Sequence, residues 1–306
     1  MEKFTKKLVE ELEDFYGESV TIHRHDILKA NDTKYHAIVV RRKGEDAGMT
    51  LCIEPLYEKY RRGVSVEDVV EEILGTIKEQ PDMSHFNSEY VEQILKNYDF
   101  MKSNMIIKLL NKERNVEYLK GKLHFEILDM AATFYSVVCE KDEVMGLMAI
   151  PQVIYEGWGV SKGELFRDVL ESMQEKNPPV FLSLTEVVDR MTGNSFSQYM
   201  NPPELPEDKQ AYVLTNKTNN NGATSVLFPG QLMKMAEQLC VDELVLLPSS
   251  LHEMIVIPRI KGKESYYQEF RDMVAEVNQT CVEPMDFLSD NIYLYRKEDD
   301  AMKIIE

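Results

Sequence analysis

Apolar residues recur at helical spacing from the start of the chain. Phe4, Leu8, Leu12 and Phe15 fall on one face of 3–16, and Gly17 follows. This predicts an amphipathic helix ended by glycine. The pattern then changes to short apolar runs rich in β-formers, at 35–41 and 48–54, with KGEDAG between them. That is a hairpin signal, with the strands expected to end at Pro55. Helical spacing returns at Val66, Val69, Val70, Ile73, Leu74 and Ile77. Ser65 stands where an N-cap belongs, and Asp68 stands three residues on, the capping-box spacing.

The same text returns 96 residues later, with Met145 set against Met49. Met49/Met145, Leu51/Leu147, Pro55/Pro151, Gly63/Gly159, Val64/Val160, Ser65/Ser161, Leu74/Leu170 and Glu79/Glu175 are identical in an ungapped alignment. The devices return with the letters. Ser161 caps, Glu164 completes the box, and Leu165, Phe166, Val169, Leu170 and Met173 make the stripe. The matching hairpin is 131–139 with 144–150. Between the two units, 87–98 reads as a short helix, and 178–192 reads as another entered through Pro178-Pro179.

Residues 193–209 lack periodicity and carry three of the prolines, which marks a loop or boundary. Beyond it, 211–215 and 223–228 read as strands around the turn NKTNNNG, and 230–240 as a helix. Residues 243–247 and 254–257 read as strands flanking PSSLHE, and Tyr267, Phe270, Val274 and Val277 mark a last helix. The order is ββαββα, with 291–296 as a further strand. LLNKERN at 109–115 is echoed by LTNKTNN at 214–220. The expected fold class is therefore α+β: tandem hairpin-plus-helix units with mostly antiparallel sheets. The units are 1–98, 99–192 and, after the 193–209 boundary, a diverged third unit at 210–306.

Composition narrows the function more than it names it. The 306 residues are 43% hydrophobic and 29% charged, enough apolar material for a sizeable core. No run approaches the ~18 apolar residues of a membrane span. The N-terminal text MEKFTKKLVEELEDFYG has no apolar core of a signal peptide, so a cytoplasmic location and no membrane partner are expected. The net charge of −18 repels phosphate backbones, which argues against nucleic acid. Cys52, Cys139, Cys240 and Cys281 are scattered, without metal or disulfide spacing.

Candidate chemistry is sparse. Ser249, Ser250, His252 and Glu253 cluster in the PSSLHE turn. They could supply a nucleophile, a base and an orienting group. Triad members, however, converge from different parts of a fold, and no G-x-S-x-G elbow is present. The competing reading is a turn whose polar groups satisfy the backbone. His23 and His25 share a strand face without a third ligand, so no metal is expected. Asp129 and Asp286 have no carboxylate partner legible in the sequence. There is no P-loop and no G-x-G-x-x-G, so no cofactor is expected. Trp158, in Gly-Trp-Gly before a capped helix, either plugs the core or anchors a partner. With Asn216, Asn220 and His252 it completes the candidate binding residues.

Three stretches carry a resemblance: the Asn111 to Asn115 loop, the Ile150 to Val160 segment and the Leu247 to Glu253 block. They resemble an uncharacterised bacterial family known only as a domain of unknown function, over about residues 20 to 280. The resemblance implies a bacterial, cytosolic protein and brings no activity, cofactor or catalytic residue. The leading expectation is an interaction protein that binds another protein without catalysis. The alternative is a hydrolase-like enzyme using Ser249 or Ser250 with His252 and Glu253.

Overall fold

A computed structural model describes residues 1–44, 48–79, 92, 95–141, 144–192, 210–259, 262 and 266–306. It is an α+β structure whose described strands form three antiparallel sheets.

The first sheet runs β1 (Val20–Leu28), β2 (Lys34–Arg42), β3 (Met49–Cys52). Helices α1 (Glu2–Tyr16), α2 (Ile53–Arg61) and α3 (Val66–Glu79) cover one face of it. Leu8, Leu12, Ile38, Ile53, Val69 and Ile73 close a core of their own between the two layers. Gly17 ends α1 at a positive φ of 54°. Phe15 departs from its expected inward place. It is 57% exposed and meets Tyr16 edge-on.

Pro55 does not merely end a strand. It lies in the first turn of α2, where proline's missing N–H removes no helical bond. The corresponding Pro151 is the residue before α5 (Gln152–Trp158). Both short helices escape a reading that treats proline only as a breaker.

The second sheet is built on β6 (Met130–Lys141). The strand β4 (Met105–Asn111) pairs one edge, while β5 (His124–Ile127) and β7 (Val144–Ala149) pair the other, one after the other along it. From β7 the chain enters α5, then Gly159 at φ 68°, then α6 (Lys162–Lys176). From β3 it enters α2, then Gly63 at φ 99°, then α3. Ser65 and Ser161 both cap as expected. Their hydroxyls accept the N–H of Asp68 at 3.0 Å and of Glu164 at 3.2 Å. The two segments share this order of elements. Their surroundings differ, since β7 shares its edge of β6 with β5 while β3 has an edge of β2 to itself.

The third sheet has the order β13 (Ala301–Ile304), β12 (Tyr293–Arg296), β10 (Glu243–Pro248), β11 (Met254–Pro258), β9 (Tyr212–Asn216), β8 (Pro179–Ser183). One face shares a core with the second sheet, through Leu214, Leu246, Met254 and Val256 against Phe134 and Ile107. The other face is covered by α9 (Tyr266–Thr280), which sets Val274 against Val245 and Leu247. Between β9 and β10 lies α8 (Gln231–Gln238).

Two expected elements change type. Residues 178–192 hold β8 and then α7 (Leu184–Thr192), not one helix. Val180, Phe181 and Leu182 pair with β9, and a capping box at Ser183 and Glu186 starts the helix. Residues 223–228 form no strand; Gly222–Leu227 is a buried 3-10 segment. Its polar groups find tertiary partners: Ala223 N–H donates to Leu251 O, Thr224 Oγ1 to Ile107 O and Ser225 Oγ to Thr215 O. A run buried on all sides has no period by which to tell strand from helix. Most of the expected 87–98 helix and the whole 193–209 boundary lie outside the described residues. Close to the former, α4 (Tyr98–Met101) starts from Asn97, whose side chain accepts the Phe100 N–H.

The first sheet reaches the rest of the molecule through the β1–β2 turn. Asn31 and Asp32 sit there at positive φ, a conformation that asparagine and aspartate tolerate better than most residues. Asn31 N–H donates to Asn115 Oδ1 at 2.6 Å, and its side chain donates to Pro284 O and Phe287 O. The Asp32 carboxylate accepts from the N–H groups of Glu117 and Tyr118.

Candidate functional site

The 248–253 turn joins β10 to β11 and is packed from below by the 3-10 segment. Gly222 makes this approach possible. A Cβ there would meet Thr215 Oγ1 at 2.2 Å and His252 O at 2.4 Å. Three of the four candidate binding residues converge at this point. Asn216 ends β9 and is buried; its Oδ1 accepts the Asn220 N–H and its Nδ2 donates to Asn220 O. The loop so tied leaves Asn221 N–H to donate to His252 Nδ1 at 3.2 Å. Thr215 Oγ1 donates to His252 O at 2.8 Å.

That bond at Nδ1 places the proton of the neutral imidazole on Nε2. Nε2 lies 3.4 Å from Asp286 Oδ1, and the two side chains are 39% and 36% exposed. Asp286 comes from the loop after α9, and its carbonyl accepts the Leu251 N–H. This partnership is invisible in the sequence because 34 positions separate the two residues. The serines turn elsewhere. Ser249 Oγ donates to Glu253 Oε1 at 3.0 Å, and Ser250 Oγ accepts the His252 N–H at 3.0 Å. Neither hydroxyl is bonded to the imidazole.

Trp158 belongs to a different cluster. Its Nε1 donates to Leu95 O at 2.7 Å, and its ring packs on Tyr98 and Tyr155. Asp129 also gains partners that its sequence neighbours do not announce. It accepts from Ser289 Oγ, Asn291 Nδ2 and Tyr293 Oη at 2.5, 2.9 and 2.7 Å. These bonds hold the β5–β6 turn, where Leu128 takes a positive φ of 56°, against the third sheet. Burial and the Asp129 charge push the Tyr293 phenol well above its ordinary value. The echo between 109–115 and 214–220 has a physical counterpart. Asn111 and Asn216 each end a strand, and each Oδ1 accepts an N–H of the following turn, from Arg114 and from Asn220.

His23 and His25 are exposed on β1, and His36 is bonded to Glu54 at 2.7 Å. The Glu54 bond raises His36 above its ordinary value. Among the described residues no three metal-ligating side chains gather, and no helix is long and apolar enough to cross a membrane.

The fold and this turn define an α+β protein in which asparagine side chains tie down the turns that follow two of its strands. The chain belongs to a family described as a family of unknown function, DUF5688, whose model matches residues 1–297. No curated protein and no solved structure matches it.

Proposed function

We propose that this is a cytosolic bacterial interaction protein that binds another protein through the 248–253 turn and its neighbouring loops, without turnover there. The observation that carries this reading is that each polar side chain of the turn has a bonding partner inside the chain. The imidazole accepts at Nδ1 and faces a carboxylate at Nε2, while both serine hydroxyls serve Glu253 and the backbone. A nucleophile needs a base within hydrogen-bond reach, and here the base is held by other groups. A half-exposed and already ordered imidazole–carboxylate pair suits recognition, because little freedom is lost on binding. On this reading Asn216 and Asn220 hold the surface in shape, and His252 contacts the partner.

The test is a screen of ester, phosphate-ester and peptide substrates with the wild-type chain and His252→Ala. Equal, background-level rates are expected for both. A rate well above background in the wild type that disappears in His252→Ala would establish the hydrolase reading instead.

A further inference from the structure

The opposite situation holds on the second sheet. Register places Lys108 of β4, Thr133 of β6 and His124 of β5 side by side across three strands. Tyr135, two residues along β6 from Thr133, projects from the same face. This is the face turned away from the Phe125–Phe134–Phe166 cluster that packs on α6. The segment after β4 covers part of it. From that segment Tyr118 brings its hydroxyl to 2.9 Å from Tyr135 Oη. Lys122 sets its ammonium 3.4 Å from the Tyr118 ring centre and bonds the Tyr118 carbonyl.

The group contains donors in excess. Lys108 Nζ lies 5.3 Å from the Tyr135 ring centre, and no carboxylate bonds it among the described residues. Burial pushes its ammonium below the ordinary lysine value, and the charge of Lys29 adds to the effect. Burial likewise lowers Lys122, opposed by the nearby Asp32. Thr133 is fully buried and its Oγ1 has no hydrogen-bond partner. The two tyrosine hydroxyls hold two protons and their mutual bond uses one. A chain with net charge −18 thus gathers Lys29, Lys108 and Lys122 around unspent hydroxyl donors, with Asp32 as the neighbouring acid.

Isolated buried charge is expensive and ordinarily finds a counter-charge. We propose that the face bearing Lys108, Thr133, Tyr118 and Tyr135 binds a phosphate group, as the free ion or as a small phosphate monoester. A phosphate supplies three acceptor oxygens and up to two negative charges, which matches donors that lack acceptors. Lys108 and Lys122 supply charge, and the tyrosine and threonine hydroxyls supply direction. The overall negative field does not forbid this, since a few converging cations act within a Debye length. The site is separate from the 248–253 turn, and neither proposal depends on the other.

Thermal unfolding and titration calorimetry on the full chain test it, with inorganic phosphate and glycerol phosphate as probes against chloride at equal ionic strength. The wild type is expected to gain several degrees with a phosphate probe, and Lys108→Met is expected to gain none. A larger gain with the ester identifies a small-molecule ligand; a gain with inorganic phosphate alone identifies the free ion. Tyr118→Phe, which keeps the ring under Lys122, is expected to lose at least half of the calorimetric affinity. It decides the matter if Lys108→Met does not fold. No gain over chloride in the wild type, or an equal gain in Lys108→Met, overturns the proposal. Unchanged affinity in Tyr118→Phe overturns the role of the hydroxyl pair.

Discussion

The 248–253 turn and the Lys108 face hold similar side chains: hydroxyls, a histidine and charged groups. In the turn each of them has a partner inside the chain. On the Lys108 face, among the described residues, the ammonium meets an aromatic ring but no carboxylate, and a buried hydroxyl has no hydrogen-bond partner. The residue types that drew attention in the sequence are therefore the satisfied ones. The region that looked like ordinary strand text holds the unspent donors. What separates a turn from a binding site here is the balance of donors and acceptors.

The sharpest way to break the contrast is to spoil the packing under the turn. Gly222→Ala drives a methyl against Thr215 and His252 O, and a clash of this kind costs about 3 kcal/mol. Urea unfolding should show that loss. A loss below about 1 kcal/mol would mean that the turn is loosely held.

Lys108→Met should act with the opposite sign. Replacing a half-buried ammonium that has no carboxylate partner among the described residues with an apolar chain of similar length should stabilise the ligand-free protein by about 1 kcal/mol. The sign of its pH dependence follows from the lowered folded-state value. Below that value both states are charged and the wild type bears the full cost of burial. As pH rises toward the ordinary lysine value, the folded state sheds its proton first and the cost is relieved. The advantage of Lys108→Met should therefore be largest at neutral pH and shrink in alkali. An advantage that grows with pH would show that Lys108 is favourably paired.

Much of the fold was legible, for reasons that specific residues make plain. The two Ser-capped helices could be read because one face of each is buried, which leaves a period in the sequence. The PSSLHE hairpin could be read because apolar strands bracket a polar turn. Segment 223–228 could not, since every residue of it but Leu227 is buried, which leaves no exposed face to set a period. The short helices at 53–61 and 152–158 are hidden behind their prolines, whereas Ser183 and Glu186 stand at the capping-box spacing that marks a helix start. In the site, local ties such as Asn216 to Asn220 lie within reach of sequence reasoning. The pairing of His252 with Asp286 and the row of His124, Thr133 and Lys108 are products of tertiary register, and no local pattern encodes them.

Two smaller effects sharpen the comparison. His252→Ala removes the acceptor for Asn221 N–H and the partner of Asp286, and should cost about 1 kcal/mol by urea titration. A cost above about 3 kcal/mol would make His252 a structural keystone and not a contact residue. Thr133→Val removes a hydroxyl that has no partner and should gain about 0.5 kcal/mol without ligand. A clear loss would reveal a bond to Thr133 that the ligand-free fold already makes.

The Asn31 turn carries a consequence for the order of assembly. Its bonds span 84 residues to Asn115, 253 to Pro284 and 256 to Phe287. Contacts so distant along the chain form only after long loops have closed, and they slow folding more than they add to stability. The first sheet has its own core and its own covering helices, so it can collapse as soon as it is synthesised. Its mooring, by contrast, also draws on Pro284 and Phe287, which follow Asn31 by 253 and 256 residues. Until those two residues emerge, the first unit is a folded body whose berth is only half built, with Asn115, Glu117 and Tyr118 in place and the far side missing.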